Sequence, residues 1–126
     1  MPQYINHPTL PPPKGAYSHV SIANGFVFTA GVGPRDPETG RLPAGGIKEQ
    51  TEQTMRTLVR VLEPTGASLG DAVRVTVHLA NLARDFEEFD RAYGEFFPNE
   101  RPVRTTVGSE LSGILVEIDL IAALSS

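Results

Sequence analysis

The sequence has no cysteine and no tryptophan, and its aromatic residues make up only 7%. Without thiols it forms no disulfide, no thiolate metal site and no cysteine nucleophile, and a cytoplasmic protein is the expectation. Cations are in the minority, 11 Lys and Arg against 15 Asp and Glu, for a net charge of −4. With no basic stripe interleaved with aromatics, nucleic acid is an unlikely partner on charge grounds. No apolar run approaches the roughly 18 residues of a membrane span, and Met1-Pro2-Gln3-Tyr4 opens neither a basic nor an apolar leader. His7, His19 and His78 lack the i, i+4 spacing of helical metal ligands, so no metal site is expected.

The 126 residues, 40% of them hydrophobic, suit one domain over 1–126 with one core. Pro8 and the run Pro11-Pro12-Pro13 make residues 1–14 an extended arm. Residues 19–23 and 26–30 flank Asn24-Gly25, the pair that best tolerates the two positive φ angles of a tight hairpin turn. A glycine- and proline-rich loop over 31–46 follows. From Ile47 the spacing of Thr51, Met55, Leu58, Val61 and Leu62 builds one helix face, which Pro64 and Gly66 end. Val73, Val75, Val77 and Leu79 alternate with polar residues as in a half-buried strand. Leu82, Phe86, Phe89, Tyr93, Phe96 and Phe97 return to helical spacing, and Pro98 closes that segment. Strands are expected over 104–109 and 114–124. The second is apolar on both faces, with Leu115 and Ile121 opposite Ile114, Val116, Ile118 and Leu120. Two helices cover one face of such a sheet, so another copy of the chain is the simplest cover for the other.

Gly66-Ala67-Ser68-Leu69-Gly70 matches G-x-S-x-G, but a helix ends there and a strand follows, the reverse of a nucleophile elbow. Gly31-Val32-Gly33 follows a strand, yet no third glycine and no helix come after it, so it is not a dinucleotide loop. Asp85, Glu87, Glu88 and Arg91 read as a solvated helix face. Arg104, set just beyond Pro102, offers a planar fork matched to a carboxylate. Glu117 stands among Val116, Ile118 and Ile121, where a carboxylate needs a partner, an edge or a cavity in which it handles a proton or a water. Arg104 and Glu117 are therefore either a structural ion pair between adjacent strands or parts of a functional site.

Taken in order, Gly15-Ala16-Tyr17-Ser18, Phe28-Thr29-Ala30-Gly31, Leu62-Glu63-Pro64-Thr65-Gly66-Ala67, Arg101-Pro102-Val103-Arg104 and Val116-Glu117-Ile118-Asp119-Leu120-Ile121-Ala122 resemble the RidA (YjgF-like) family of reactive intermediate deaminases. The resemblance implies an α+β, chorismate-mutase-like subunit, a mixed β-sheet with two helices on one face, assembled as a homotrimer with sites between subunits. It implies hydrolysis of imines and enamines of 2-amino acids to 2-keto acids and ammonia, without cofactor or metal. Arg104 matches the carboxylate-binding arginine and Glu117 the water-orienting glutamate. Tyr17, Gly31 and Thr106 match pocket positions. Ala30, Val32, Asp90 and Thr106 stand where the family usually has Ser, Gln, Asn and often Cys; Ala30 and Val32 imply a more apolar pocket that accepts longer side chains. Asp90, if close to Arg104, would compete for the guanidinium. Two other readings remain: a trimeric module that binds a small ligand without turning it over, and the endoribonuclease or translation-inhibitor activity ascribed to some members.

Overall fold

Alternating and helical apolar patterns fold into a six-stranded sheet with two α-helices in the computed structural model, which describes residues 1–125. The strands are β1 (Gln3–Ile5), β2 (Val20–Ala23), β3 (Phe26–Thr29), β4 (Ala72–Leu79), β5 (Val103–Gly108) and β6 (Val116–Ala123); the helices are α1 (Ile47–Leu62) and α2 (Leu82–Gly94). The sheet order is β1-β2-β3-β6-β4-β5. Only β4 and β5 run parallel, because α2 connects them, so the sheet is mixed and the fold is α+β.

Asn24 and Gly25 take φ of 52° and 80°, as the hairpin turn between β2 and β3 requires. Helix α1 opens where Glu49 Oε1 accepts the Gly46 N–H at 2.9 Å and gives way to a 3₁₀ turn over Glu63–Thr65. Helix α2 opens on Asn81, whose Oδ1 accepts the Arg84 N–H at 3.1 Å. Both helices lie on one face. Met55, Leu58 and Leu62 of α1 and Phe89 of α2 are fully buried over Val75, Val77, Leu79, Val116, Ile118 and Leu120, each large side chain contributing about 1.5–3 kcal/mol. The other face carries Phe28, Ile121, Arg74 and Val103 in register across β3, β6, β4 and β5, and Phe26, Phe28, Val103 and Val107 stay exposed on it. Arg74 Nη2 donates to Thr105 Oγ1 there (2.8 Å), and His78 Nδ1 lies 2.6 Å from Ser109 Oγ.

Several expectations change. The last strand begins at Val116 and not at 114: the Leu115 N–H donates to Gln50 Oε1 at 2.8 Å, which ties it to α1, and Leu115 packs on the core. Ile114 lines a cleft. Helix α2 ends at Gly94, so Phe96 and Phe97 lie beyond it, although Phe97 stays buried. Asp85 is no solvated acid; it is buried beneath its neighbour Arg84, which donates to it from Nε at 2.9 Å and from Nη2 at 3.0 Å. The arm contributes edge strand β1 and buries Leu10. It is fastened by the His7 N–H to His19 Nδ1 (3.0 Å) and the His19 N–H to Asn6 Oδ1 (2.9 Å).

Candidate functional site

Beyond Phe28, β3 peels away from β6. The Leu120 N–H that a further ladder residue would have taken donates to Thr29 Oγ1 at 3.0 Å, and pairing resumes at Val32, which exchanges two backbone hydrogen bonds with Ile118 (2.8 and 3.0 Å). Ala30 and Gly31 stand in the interval, where such an irregularity re-aims the chain. Gly31 passes so near Glu117 that a Cβ on it would lie 2.9 Å from the carboxylate carbon. The absence of a side chain at Gly31 is therefore what lets the carboxylate stand there. A cleft of about 360 Å³ opens beside it, lined by Tyr17, Ala30, Gly31, Val32 and Glu117, with Leu10, Pro11 and Ile114 as apolar wall and Lys14, His19 and Arg35 as polar rim.

Arg104 occupies a second cleft, of about 410 Å³, with Asp90, Arg91, Tyr93, Gly94, Glu95 and Arg101. Register pairs it with buried Val75, so its side chain rises on the helix face. There its guanidinium carbon sits 5.7, 5.4 and 4.8 Å from the ring centres of Phe86, Phe89 and Tyr93. Such contacts are worth about 0.5–2 kcal/mol and fix the plane of the fork. Nη1 donates to Asp90 Oδ1 at 2.8 Å. That single bond leaves the other donors of the guanidinium for a ligand. The Tyr93 hydroxyl is buried without a partner among the described residues, and burial pushes its pKa up to about 12 against the pull of Arg104. Thr106, two residues along the same face of β5, likewise has a buried Oγ1 without a partner, and it lines neither cleft.

Glu117 and Arg104 are not an ion pair, and their strands are not neighbours. Strand β4 lies between β5 and β6, the guanidinium is taken by Asp90, and Glu117 pairs with none of the cations among the described residues. Glu117 is in register with His78 on the face away from the helices. Of the sequence-derived candidates, Tyr17, Ala30, Gly31, Val32 and Glu117 come together in one cleft, and Arg104 and Asp90 in the other. Sequence reading placed Tyr93 in the core and missed its part in the wall around Arg104; aromatic residues at 86, 89 and 93 on a helix opposite an arginine-bearing edge strand are the signal. Among the described residues no group of three or more His, Asp or Glu gathers as a metal site, and no helix is long and apolar enough to cross a membrane.

The profile of the family described as Endoribonuclease L-PSP matches residues 8–124. A RutC family protein of Pyrococcus abyssi is 41% identical over 116 residues, 89% of each chain. Reactive Intermediate Deaminase A, chloroplastic, of Arabidopsis thaliana is 35% identical over 90% of this chain and 62% of its own. Among solved structures, E. coli TdcF with bound serine superposes with a TM-score of 0.88 at 27% identity, covering 98% of this chain and 99% of that one. One relative is named chloroplastic and another, Mmf1 of Saccharomyces cerevisiae, mitochondrial, so kinship does not fix a compartment. By profile, by sequence and by the course of its six strands and two helices, this chain belongs to the Endoribonuclease L-PSP family, the YjgF-like RidA proteins.

Proposed function

We propose that the protein hydrolyses 2-imino and 2-enamino acids to 2-keto acids and ammonia, at sites completed between the subunits of a homotrimer. The observation that carries this reading is the pair of half-sites: a guanidinium fixed by three rings with donors to spare, and a carboxylate held open by Gly31. Two strand spacings of about 4.8 Å and three residues of about 3.3 Å put the two Cα atoms roughly 14 Å apart within one chain, with side chains on opposite faces. A substrate of a few atoms does not bridge that. A Glu117 for this chain's Arg104 therefore has to come from another copy, and a copy laid on the exposed apolar residues of the open face would cover surface that a lone chain leaves in water.

In the composite site Arg104 takes the carboxylate of the substrate and sets the register of the adjacent C=N carbon. Glu117 accepts a proton from a water as its oxygen bonds to that carbon and the C=N electron pair moves to nitrogen. Glu117 then returns the proton to nitrogen. From the protonated imine this gives a carbinolamine whose nitrogen is –NH₃⁺; its hydroxyl proton passes to Glu117 as C–O becomes C=O and the C–N bond breaks, keto acid and ammonia leave, and Glu117 gives up that proton to the departing ammonia. Ala30 and Val32, with Leu10, Pro11 and Ile114, give the cleft an apolar wall that favours longer side chains by about 0.8 kcal/mol per methylene buried.

The test is an assay that generates 2-aminoacrylate in situ and follows pyruvate. Arg104→Lys and Glu117→Gln chains are each expected to be inactive, and their co-assembled mixture to recover activity, since some interfaces then carry an intact Arg104 facing an intact Glu117. Acceleration absent in the wild type overturns the deaminase reading; inactivity of verified mixed assemblies overturns the shared site.

A further inference from the structure

We propose that Asp90 is the subsite for the protonated nitrogen of the substrate, so that the Asp90–Arg104 pair reads the zwitterion and not the carboxylate alone; this rests on the deaminase reading for the substrate class. In the pair, Oδ1 and Nη1 stand 2.8 Å apart at the mouth of the second cleft. A 2-iminium acid carries a carboxylate and a positively charged C=NH₂ group on adjacent carbons, the same spacing of charge with the signs exchanged. Laid antiparallel to the pair, its carboxylate meets the unused donors of Arg104, and its N–H meets the carboxylate of Asp90, which is 51% exposed and has Oδ2 free of Arg104.

Stability gives little reason for the pair, because an ion pair with a half-exposed partner contributes little to it. The cleft also presents a group that points to a ligand: Tyr93 lines it, is 4% exposed, and its hydroxyl has no partner among the described residues. Of the other charged groups there, Arg101 donates from Nε to the Phe97 carbonyl (3.1 Å), and Arg91 and Glu95 carry opposite charges. A keto acid in the same place sets its ketone oxygen against the Asp90 carboxylate, so the pair rejects product as it holds substrate. A carboxylate on the nitrogen also keeps the imine protonated, the form whose carbon water attacks.

The test uses L-alanine and pyruvate, which share a carbon skeleton and differ in an ammonium against a ketone oxygen, titrated calorimetrically into the assembled full-length protein. The wild type is expected to prefer L-alanine. Asp90→Asn is expected to cut that preference by about tenfold, through weaker L-alanine binding, with pyruvate unchanged or tighter. Thermal melting confirms that the Asn chain folds, and Asp90→Ser reads the same ratio if it does not. An unchanged ratio, a wild type that prefers pyruvate, or no binding of either ligand overturns the proposal. Failure of the deaminase reading is scored separately, in the 2-aminoacrylate assay on the wild type, and leaves the ligand ratio as measured.

Discussion

The cleft at Glu117 is shaped by backbone, whereas the cleft at Arg104 is shaped by side chains. At Glu117 a strand leaves its partner for three residues, a threonine hydroxyl stands in for the lost ladder bond, and a glycine yields the space the carboxylate fills. At Arg104 the backbone is an unbroken parallel ladder, and the position of the guanidinium is set by three rings and one acid on a helix above it. The first site is therefore sensitive to any added atom on the chain path. The second is sensitive to what the charged group is and what it stacks on.

The largest effect is expected where chemistry and not space is changed. Arg104→Lys retains the charge but loses the planar fork and its stacking, and imine turnover should fall on the order of a hundredfold or more with the melting temperature nearly unchanged. Turnover close to the wild type in the 2-aminoacrylate assay would make Arg104 a structural residue. Gly31→Ala acts on the other cleft through space alone. Its methyl would stand 2.9 Å from the Glu117 carboxyl carbon, so the side chain must swing aside, and the water it would align in the proposed reaction would move with it. A loss of about tenfold in kcat is expected, with little change in KM, since Arg104 is untouched. A rise in KM at constant kcat would show that Gly31 serves binding and not the alignment of Glu117.

How much of this was legible in the sequence follows the same division. Local signals held: Asn24-Gly25 gave the turn, the apolar spacing from Ile47 gave α1 to its last residue, and alternation through Val75 and Val77 gave β4. What local pattern does not carry is sheet order. Arg104 and Glu117 were weighed as neighbours because their strands are consecutive in the chain, yet β4 inserts between them, and only the crossover through α2 decides that. Ile114 and Leu115 extend an apolar run without extending the strand, because the Leu115 N–H is claimed by Gln50, 65 residues earlier. Asp85 looked solvated because its charge is satisfied by an adjacent residue and not across the helix. Tyr17, Ala30, Gly31, Val32, Asp90, Arg104 and Glu117 were visible as resemblance to a family, but Tyr93 and the division between two clefts were not.

The smallest effect near neutral pH belongs to the hydroxyl of Tyr93, and it separates the ring beside Arg104 from the group attached to it. The hydroxyl is buried without a partner among the described residues, and its pKa is pushed up to about 12 by burial. In the unfolded chain it ionises near 10, so between about pH 10 and pH 12 the unfolded state binds fewer protons than the folded one and stability falls as pH rises, by about 3 kcal/mol over the window. Below pH 10 that contribution is fully present. Tyr93→Phe retains the ring 4.8 Å from the guanidinium and deletes the titrating group. Near neutral pH it should leave stability unchanged or slightly raised, since removing an unpaired buried hydroxyl leaves no orphaned partner. Between pH 10 and 12 the Phe chain should gain on the wild type as the wild type declines, and denaturant midpoints at pH 8 and pH 11.5 read the difference. A Phe chain markedly less stable at pH 8 would mean that the hydroxyl has a partner in the assembled protein, supplied by a neighbouring copy. Parallel pH dependence in the two chains would mean that the ring is wetter than its 4% exposure in one chain indicates.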